Sequence, residues 1–320
     1  AGEHLSKEDK KMKAAVIDLG TNTFQMLVAQ KQGSAFNVLH RHRVFVKIGQ
    51  GGIQEGTITT EAWQRALSTF EQLCQLAKQH GVAIENTVAT ATSAIRSAGN
   101  GPELLAAMQQ RTGILPKAIS GDEEARLIFE GVKTVLDMGQ EPHLVVDIGG
   151  GSVEIICGNQ QEIWWKKSFE IGAQRLLTLF HHSEPLGSEE KKALVAHLQH
   201  TFAELPAMLK KYQPGRLVGC AGTFSTVRDI FTASQHLPVP DKGKPFRLLP
   251  ADYLHLHQLM ETRTLEQRLQ IPGMLPERAD MIVVASCVVE FLLQNFLFQQ
   301  VIISPASLKE GLLSGLFAER

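Results

Sequence analysis

The sequence has few cysteines and no excess of positive or negative charge. Each of these two features argues against particular classes of protein. Its 4 cysteines lie far apart and form no CxxC motif. This argues against a disulfide framework or a zinc site and is typical of a reducing cytoplasm. Lysine and arginine number 32 against 33 aspartates and glutamates, so the overall charge predicts neither a nucleic acid nor a membrane surface as partner. Any affinity for phosphate must come from local placement.

Long hydrophobic runs are also absent. No stretch approaches the roughly 18 apolar residues that are needed to span a bilayer. Residues 1–11 are polar and charged, which predicts a tail rather than a signal peptide, with Met12 as a candidate original start. We therefore expect a cytoplasmic protein. With 320 residues, of which 43% are hydrophobic, the chain can form two domains that each bury a core.

One short pattern occurs twice in the sequence. Residues 15–23 read Ala-Val-Ile-Asp-Leu-Gly-Thr-Asn-Thr, and residues 144–152 read Leu-Val-Val-Asp-Ile-Gly-Gly-Gly-Ser. In each, an apolar strand ends in an aspartate, which is costly to bury unless a carboxylate is needed there. The glycines that follow expose backbone N–H groups at a tight turn, where they can hold a phosphate. The repeat predicts two related halves that grip one phosphorylated ligand.

The elements of the chain divide at the polar stretch 137–142. The first half is predicted to have strands at 24–30, 35–46, 88–94 and 116–119, and helices at 60–80 (N-cap Thr60), 102–111 and 122–136. The second half is predicted to have strands at 143–148, 153–157, 161–168, 216–219 and 300–303, an exposed loop at 237–250, and helices that include 276–297 and 307–318. We predict a polar tail 1–11, an N-terminal domain 12–136 and a C-terminal domain 137–320. In one alternative the last helix, about 307–318, packs back on the first domain.

The two Asp-x-Gly turns resemble the phosphate loops of the actin, Hsp70 and sugar kinase superfamily. Three other segments narrow the resemblance: Ala-Thr-Ala-Thr-Ser-Ala-Ile-Arg at 89–96, Ile-Ser-Gly-Asp-Glu-Glu-Ala-Arg-Leu-Ile-Phe at 119–129, and Leu-Lys-Glu-Gly-Leu-Leu at 308–313. Together they resemble the exopolyphosphatase and guanosine pentaphosphate phosphohydrolase (Ppx/GppA) family from about residue 12 to residue 320. The resemblance implies an α/β fold of two ribonuclease H-like (actin-like ATPase) domains with a phosphate-binding cleft between them. The absence of a His-Asp dipeptide predicts a short form without the HD-type domain of longer members.

The catalytic candidates are Glu124 and Arg96. The residues alone leave the role of Glu124 open, because an acidic residue in a first helical turn also complements the helix dipole. Its neighbours have structural explanations: Ser120 and Glu123 form a capping-box pattern, and Asp122 faces Arg126 at i,i+4. The residues alone favour a surface arginine in a salt bridge for Arg96. The resemblance implies that Glu124 orients the attacking water and that Arg96 binds phosphate.

The phosphate and metal candidates lie at the turns. The expected phosphate-binding residues are Asp18, Gly20, Thr21, Asn22, Thr23, Gly149, Gly150, Gly151, Ser152, Gly222 and Thr223. Asp147 and Glu154 straddle the second turn, and hard carboxylates beside phosphates commonly hold Mg²⁺. The alternative is that these carboxylates only cap N–H groups of the turn.

The leading functional hypothesis is a Mg²⁺-dependent phosphohydrolase that removes terminal orthophosphate from inorganic polyphosphate, guanosine pentaphosphate or both. The resemblance also implies a homodimer. No covalent phosphoenzyme is expected, since the chain has neither a Cys-x5-Arg motif nor a second aspartate in Asp-x-Asp spacing after Asp18. Two alternatives are a kinase of the same superfamily and a non-hydrolytic sensor of a phosphorylated alarmone or polyphosphate. The basic stretch 40–47 could follow a polyphosphate chain or form a solvated face, and the His-x-His pairs at 40–42 and 255–257 are not expected to bind metal.

Overall fold

A computed structural model describes residues 12–319 of the chain, and the predicted tail 1–11 lies outside them. The described residues form two compact units. Of the described residues, unit 1 contains 12–134 and 308–319, and unit 2 spans Val135–Ser307. Within residues 12–319, every helix is too short or too polar to cross a membrane.

Unit 1 is built on a five-stranded sheet with the strand order β3-β2-β1-β4-β5. Its strands are β1 (Lys13–Leu19), β2 (Thr23–Gln32), β3 (Ala35–Phe45), β4 (Thr87–Ala91) and β5 (Lys117–Ala118), and its first helices are α1 (Thr60–Gln79), α2 (Ser93–Ser97), α3 (Gly101–Thr112) and α4 (Gly121–Lys133). The first three strands form an antiparallel meander, whereas β1, β4 and β5 are parallel. Because β1, β4 and β5 run the same way, their carboxyl ends lie at one edge of the sheet, which is where ligands bind in such folds.

Unit 2 repeats this plan around a six-stranded sheet with the order β10-β11-β9-β6-β7-β8. Its strands are β6 (His143–Ile148), β7 (Val153–Gly158), β8 (Ile163–Phe169), β9 (Arg216–Cys220), β10 (Phe246–Leu248) and β11 (Gln300–Ile303). Its helices are α5 (Ala173–Phe180), α6 (Ser188–Thr201), α7 (Leu205–Tyr212), α8 (Gly222–Ser234), α9 (Pro250–Glu261), α10 (Leu265–Leu269) and α11 (Ile282–Asn295). The meander is again antiparallel, and β6, β9 and β11 are parallel.

The last helix, α12 (Leu308–Ala318), belongs to unit 1. Its Leu313 and Phe317 form an apolar cluster with Ala14, Val16, Leu27 and Ala29 of the sheet. Helix α1 covers the opposite face, where Phe70 and Cys74 pack with Met26. The alternating inward residues of β1 and β2 therefore supply two cores, one on each face of the sheet.

Several boundaries differ from those predicted from the sequence. The strand expected at 88–94 ends at Ala91, and α2 starts at Ser93, because the hydroxyl of Thr21 accepts a hydrogen bond from the Ala94 amide and so satisfies an N-terminal group of the helix. The N-cap of α1 is Thr59 rather than Thr60. Helix α4 ends at Lys133, where the Thr134 hydroxyl bonds to the Gly131 carbonyl instead of continuing the helix.

In unit 2, the predicted loop 237–250 contains an edge strand and the predicted helix 276–297 is divided. Phe246 and Leu248 give β10 enough apolar side chain to pair with β11 in spite of the Pro- and Gly-rich sequence around it. Pro276–Arg278 forms a 3₁₀ turn, and α11 begins only at Ile282. The turn ends with a hydrogen bond from the Met281 amide to the Arg278 carbonyl.

Candidate active site

The first loop, residues 20–23, joins β1 to β2 in a tight hairpin. The Gly20 amide donates to the Thr23 carbonyl at 3.0 Å, and a Cβ at Gly20 would lie 2.8 Å from that same oxygen, so only glycine fits there. The Asn22 carbonyl accepts from the amides of Val46 and Lys47, both at 2.9 Å. This hydrogen bonding holds the loop at the carboxyl end of β1.

Arg96 and Glu124 come together at the carboxyl ends of β4 and β5, and α2, which carries Arg96, is bonded to the first loop through the Ala94 amide and the Thr21 hydroxyl. The Arg96 side chain extends from α2 and donates through one guanidinium nitrogen to the Ile119 carbonyl at 3.0 Å and to Glu124 Oε2 at 2.9 Å. Glu124 is only 6% exposed. Since β4 and β5 are adjacent and parallel, the helices that follow them bring these two side chains to the same edge of the sheet.

Helix α4 begins largely as its sequence pattern predicts. The Ser120 hydroxyl accepts from the Glu123 amide at 3.1 Å, which is half of the predicted capping box. The other half is replaced, because the Glu123 carboxylate binds the Arg126 guanidinium through two bonds of 2.9 and 2.7 Å. Arg126 thus forms an ion pair at i,i+3, and its pairing with Asp122 at i,i+4 stays a prediction. Glu124 projects to the buried side of the helix, away from this surface pair.

The second loop, residues 149–152, repeats the geometry of the first. The Gly149 amide donates to the Ser152 carbonyl at 3.0 Å, as Gly20 does to Thr23. Its carbonyls point towards α5: Gly149 accepts from the Ala173 amide and Gly150 from the Gln174 amide, both at 2.9 Å. Residues 149–152 therefore satisfy the N-terminal amides of a helix that has no side-chain cap.

Asp147 and Glu154 are direct cross-strand partners in β6 and β7. Glu154 is 1% exposed and Asp147 is 8% exposed. Each carboxylate accepts a hydroxyl hydrogen bond on one oxygen: Ser168 donates to Glu154 at 2.6 Å, and Ser307 donates to Asp147. The equivalent pair in unit 1 is Asp18 with Gln25, so only unit 2 places two carboxylates opposite each other. Like charges at that spacing repel, and a pair of hard oxygen ligands suits Mg²⁺.

The third loop, residues 220–223, follows β9 and leads into α8. Ala221 has a φ of 72°, an uncommon backbone conformation for a residue with a side chain. A Cβ at Gly222 would lie 1.6 Å from the Arg278 guanidinium carbon, so the absence of a side chain lets Arg278 pack directly against the start of the helix. Thr223 is buried in the first turn of α8.

The side chains of the basic strand β3 alternate between its two faces, one towards α12 and the other towards the end of α1. Arg41 binds the buried Glu310 of α12 at 3.3 Å, and the Arg43 guanidinium lies over the Phe45 ring. On the other face the His40 ring stacks on His80 at the end of α1, with their centroids 4.3 Å apart. The histidines and arginines of this stretch thus do not form one continuous basic face.

A buried ionic cluster in unit 2 joins α6, α9 and α11. Lys191 binds both Glu261 and Glu290, and His257 Nε2 lies 2.9 Å from Glu290. Burial alone would lower the pKa of His257, but its contacts with Cys287, Glu261 and Glu290 raise that pKa well above its ordinary value. Burial likewise works against ionisation of Glu261, but hydrogen bonds from His257 and Lys191 lower its pKa to about 2.

The ligand atoms of His257, Glu261 and Cys287 are close enough together to hold a metal ion. The ammonium group of Lys191 and the imidazolium of His257 already balance the two carboxylates, which makes a structural ion-pair cluster the better interpretation. His255 is exposed whereas His257 is buried, so the two histidines of that His-x-His pair face different environments.

Three residues near the loops were missed by the sequence reasoning. Arg175 donates to the Gly151 carbonyl at 2.6 Å, Ser307 binds Asp147, and Arg278 packs against Gly222. Each of these side chains contacts a backbone group or comes from a distant part of the sequence. Contacts of both kinds have no characteristic sequence spacing, so a motif search does not find them. The closest available signal for Arg175 was its position in the first turn of a helix after Gly172.

Comparisons with known proteins find similar sequences over most of the chain. A model of the Ppx/GppA phosphatase family matches residues 27–319. Exopolyphosphatase 1 of Mycobacterium tuberculosis is 28% identical over 305 residues, which cover 94% of this chain and 87% of that protein. The same figures hold for exopolyphosphatase 1 of Mycobacterium bovis.

Solved structures of similar proteins have the same fold as this chain. The crystal structure of an exopolyphosphatase from Cytophaga hutchinsonii is 35% identical, has a TM-score of 0.92, and covers 96% of this chain and 98% of its own. A Ppx/GppA family member from Aquifex aeolicus is 22% identical with a TM-score of 0.78, again over 96% of this chain and 98% of its own. These matches confirm the predicted fold class of two actin-like α/β domains.

Proposed function

The chain belongs to the Ppx/GppA phosphatase family, and we propose that it releases terminal orthophosphate from inorganic polyphosphate, from guanosine pentaphosphate, or from both. The observation that carries this proposal is the contact between Arg96 and Glu124, 2.9 Å apart. Arg96 lies on α2, which the first loop binds through the Thr21 hydroxyl. Attack on a terminal phosphate needs an oriented water and positive charge for the equatorial oxygens. That pair supplies an acceptor for the water and a cation for the phosphate.

Glu124 is the residue that would orient the attacking water. Its Oε2 atom is held by Arg96, and it lies on a helix whose start is fixed by the Ser120 cap. A carboxylate held in this way can accept a hydrogen bond from water and take its proton as the bond to phosphorus forms. Arg96 would bind an oxygen of the phosphate under attack, since a guanidinium offers five N–H donors in a planar fork.

Both loops have the peptide orientation that phosphate binding needs. In a trans peptide the carbonyl of one residue and the amide of the next point in opposite directions. The carbonyls of Gly149, Gly150 and Gly151 are bound by the first turn of α5, so the amides of Gly150, Gly151 and Ser152 face the other way. In the first loop, the bonds to the Thr21 and Asn22 carbonyls orient the amides of Asn22 and Thr23 by the same rule. Such rows of N–H groups are typical of anion sites.

Asp147 and Glu154 are the residues that would hold Mg²⁺. The oxygen donors fit the ion, and the cross-strand register places the two carboxylates next to each other with one oxygen of each bound by a serine hydroxyl. Bound there, the ion would supply positive charge to the phosphate oxygens of the substrate. Asp18 faces Gln25 in unit 1, which leaves that position with a single carboxylate. The homodimer implied by the resemblance stays a prediction.

Phosphate release in the presence of Mg²⁺ tests the proposal. Long-chain polyphosphate, a short polyphosphate and guanosine pentaphosphate would be assayed in parallel with wild-type protein, with Glu124→Gln and with Glu123→Gln. The neighbouring Glu123 pairs with Arg126 on the surface, so it is the matched control. Loss of at least about 100-fold in Glu124→Gln, with near-normal rates in Glu123→Gln, is the expected result for a lost base. Wild-type protein that binds these ligands but releases no phosphate would instead be a sensor.

A further inference from the structure

Three successive carbonyls of the second loop, residues 149–152, are bound by the start of α5. The Gly149 and Gly150 carbonyls accept from the backbone amides of Ala173 and Gln174, each at 2.9 Å. The third bond differs in kind, because the Gly151 carbonyl accepts from the Nε atom of the Arg175 side chain at 2.6 Å. One charged side chain thus completes a row of contacts that the backbone begins.

The close approach of α5 to the loop depends on Gly172. A Cβ at this position would lie 2.6 Å from the carbonyl carbon and oxygen of Gly150 and from the Gly151 amide nitrogen. Its backbone is extended, with a φ of −172°, so the requirement is for space and not for an unusual conformation. Glycine at 172 brings the first turn of α5 against the loop, within reach of Arg175.

Arg175 is itself well fixed. Its side chain is 12% exposed, and its guanidinium also binds Glu170 at 3.2 Å. A hydrogen bond from a charged donor is shorter and stronger than a neutral one. It also polarises the peptide unit that accepts it, so the N–H group on the far side of that peptide becomes a better donor. For the Gly151 carbonyl, that N–H group belongs to Ser152.

We propose that Arg175 is a positioning residue of the phosphate site: it fixes and polarises the peptide between Gly151 and Ser152 so that the Ser152 amide binds a substrate phosphate. This inference rests on the proposed function, because it assigns the second loop to substrate binding. Arg175 acts through the peptide and does not touch the substrate itself. Its loss should therefore weaken binding more than it slows the chemical step.

Steady-state kinetics with polyphosphate test this role. Arg175→Ala should raise KM about 10- to 100-fold, as expected for a lost charge-assisted hydrogen bond, while kcat changes by less than about 3-fold. Arg175→Lys keeps the charge and should show an intermediate KM. The matched control is Arg247→Ala, which removes an exposed arginine of the same unit that binds Gln300 and should leave KM unchanged.

Chemical rescue separates positioning from general support of the fold. Ethylguanidinium at millimolar concentration should lower the KM of Arg175→Ala, and ethylammonium should do so much less, because only the planar fork reproduces the lost donor. An unchanged KM in Arg175→Ala, or a loss that ethylguanidinium fails to rescue in protein with a normal melting temperature, would overturn the proposal. If Arg175→Ala does not fold, the KM of Arg175→Lys decides, and a wild-type value would refute the role.

A binding measurement keeps this inference separate from the proposed reaction. The amide signals of Gly150, Gly151 and Ser152 would be followed by NMR during titration with inorganic tripolyphosphate. Saturable shifts in wild-type protein that need at least about 10-fold more ligand in Arg175→Ala are expected. Such shifts without any phosphate release by wild-type protein would refute the hydrolase and leave the role of Arg175 standing. No shift of Ser152 in wild-type protein would overturn the inference even if phosphate is released.

Discussion

Asp147 and Glu154 lie directly opposite each other on neighbouring antiparallel strands, whereas the matching position in unit 1 pairs Asp18 with Gln25. The two repeated turns therefore differ in one respect, since only the turn in unit 2 is flanked by a pair of facing carboxylates. Both carboxylates of the unit 2 pair are nearly buried, and two adjacent hard oxygen ligands suit a divalent cation such as Mg²⁺. This difference is the reason why we propose the Mg²⁺ site at the second turn and not at the first.

Divalent metal binding should depend on this pair. Asp147→Asn or Glu154→Gln should weaken Mn²⁺ binding, measured by electron paramagnetic resonance, by at least about 10-fold, since each removes a charged oxygen ligand. Removal of the ion with a chelator should abolish phosphate release in wild-type protein. Glu162→Gln, which neutralises an exposed carboxylate in the same unit, is the control. Mn²⁺ affinity that is equal in all four proteins would contradict the assignment.

Arg96 and Glu124 should act as one unit in catalysis. Because one guanidinium nitrogen of Arg96 binds Glu124 directly, removing either side chain also displaces the other. Arg96→Gln and Glu124→Gln should each lower kcat by about 100-fold or more, and the double variant should cost far less than the product of the two losses. The kcat values of the four proteins, measured at saturating polyphosphate, give the coupling. Fully multiplicative losses would show that the two side chains act independently.

The sequence pattern singles out candidate site residues but indicates few of their contacts. The two Asp-x-Gly turns have a local signal, since strand, aspartate and glycine are consecutive in the chain. The contact of Arg96 with Glu124 joins two helices, and its existence depends on β4 and β5 being parallel neighbours. Ser307, the last residue of unit 2 in the sequence, binds Asp147. The residues next to Ser307 in the sequence give no indication of this contact.

Boundary errors arose where one tertiary contact overrode the local pattern. The run at 88–94 has small, strand-compatible residues throughout. The hydroxyl of Thr21 nevertheless binds the Ala94 amide and starts a helix there. Propensity alone could not place this boundary.

The stability of unit 2 should depend on pH through the buried cluster of Lys191, His257, Glu261 and Glu290. The pKa of His257 is raised in the folded state, so its contribution is fully present below its ordinary pKa of about 6.5. That contribution is lost as the pH rises through the folded value. The pKa of Glu261 is lowered from 4.5 to about 2, so its contribution is present above 4.5 and is lost as the pH falls towards 2.

Thermal unfolding between pH 2 and pH 9 tests the pH dependence predicted for His257 and for Glu261. The melting temperature of wild-type protein should exceed that of His257→Gln most at pH 5 to 6, and the gap should narrow as the pH rises. The gap between wild-type protein and Glu261→Gln should narrow between pH 4.5 and pH 2. His255→Gln, which alters an exposed neighbour on the same helix, should follow the wild-type curve. A constant gap for His257→Gln across this range would show that the histidine is not charged in the cluster.

The C-terminal segment Leu308–Ala318 contains a matched pair of glycines that tests how α12 packs. A Cβ at Gly311 would lie 2.0 Å from the Leu127 carbonyl oxygen of α4, whereas a Cβ at Gly315 would meet nothing within 4 Å. Gly311→Ala must therefore push α12 away from α4, weakening the apolar cluster of Leu313 and Phe317 and the contact of Glu310 with Arg41.

Equilibrium unfolding in urea measures the effect of each substitution. Gly311→Ala should destabilise unit 1 by about 2 kcal/mol or more, which is typical of overpacking against backbone. Gly315→Ala should be neutral or stabilising by up to about 1 kcal/mol, because alanine has the higher helix propensity. Equal stabilities of the two variants would mean that α12 does not pack closely on α4.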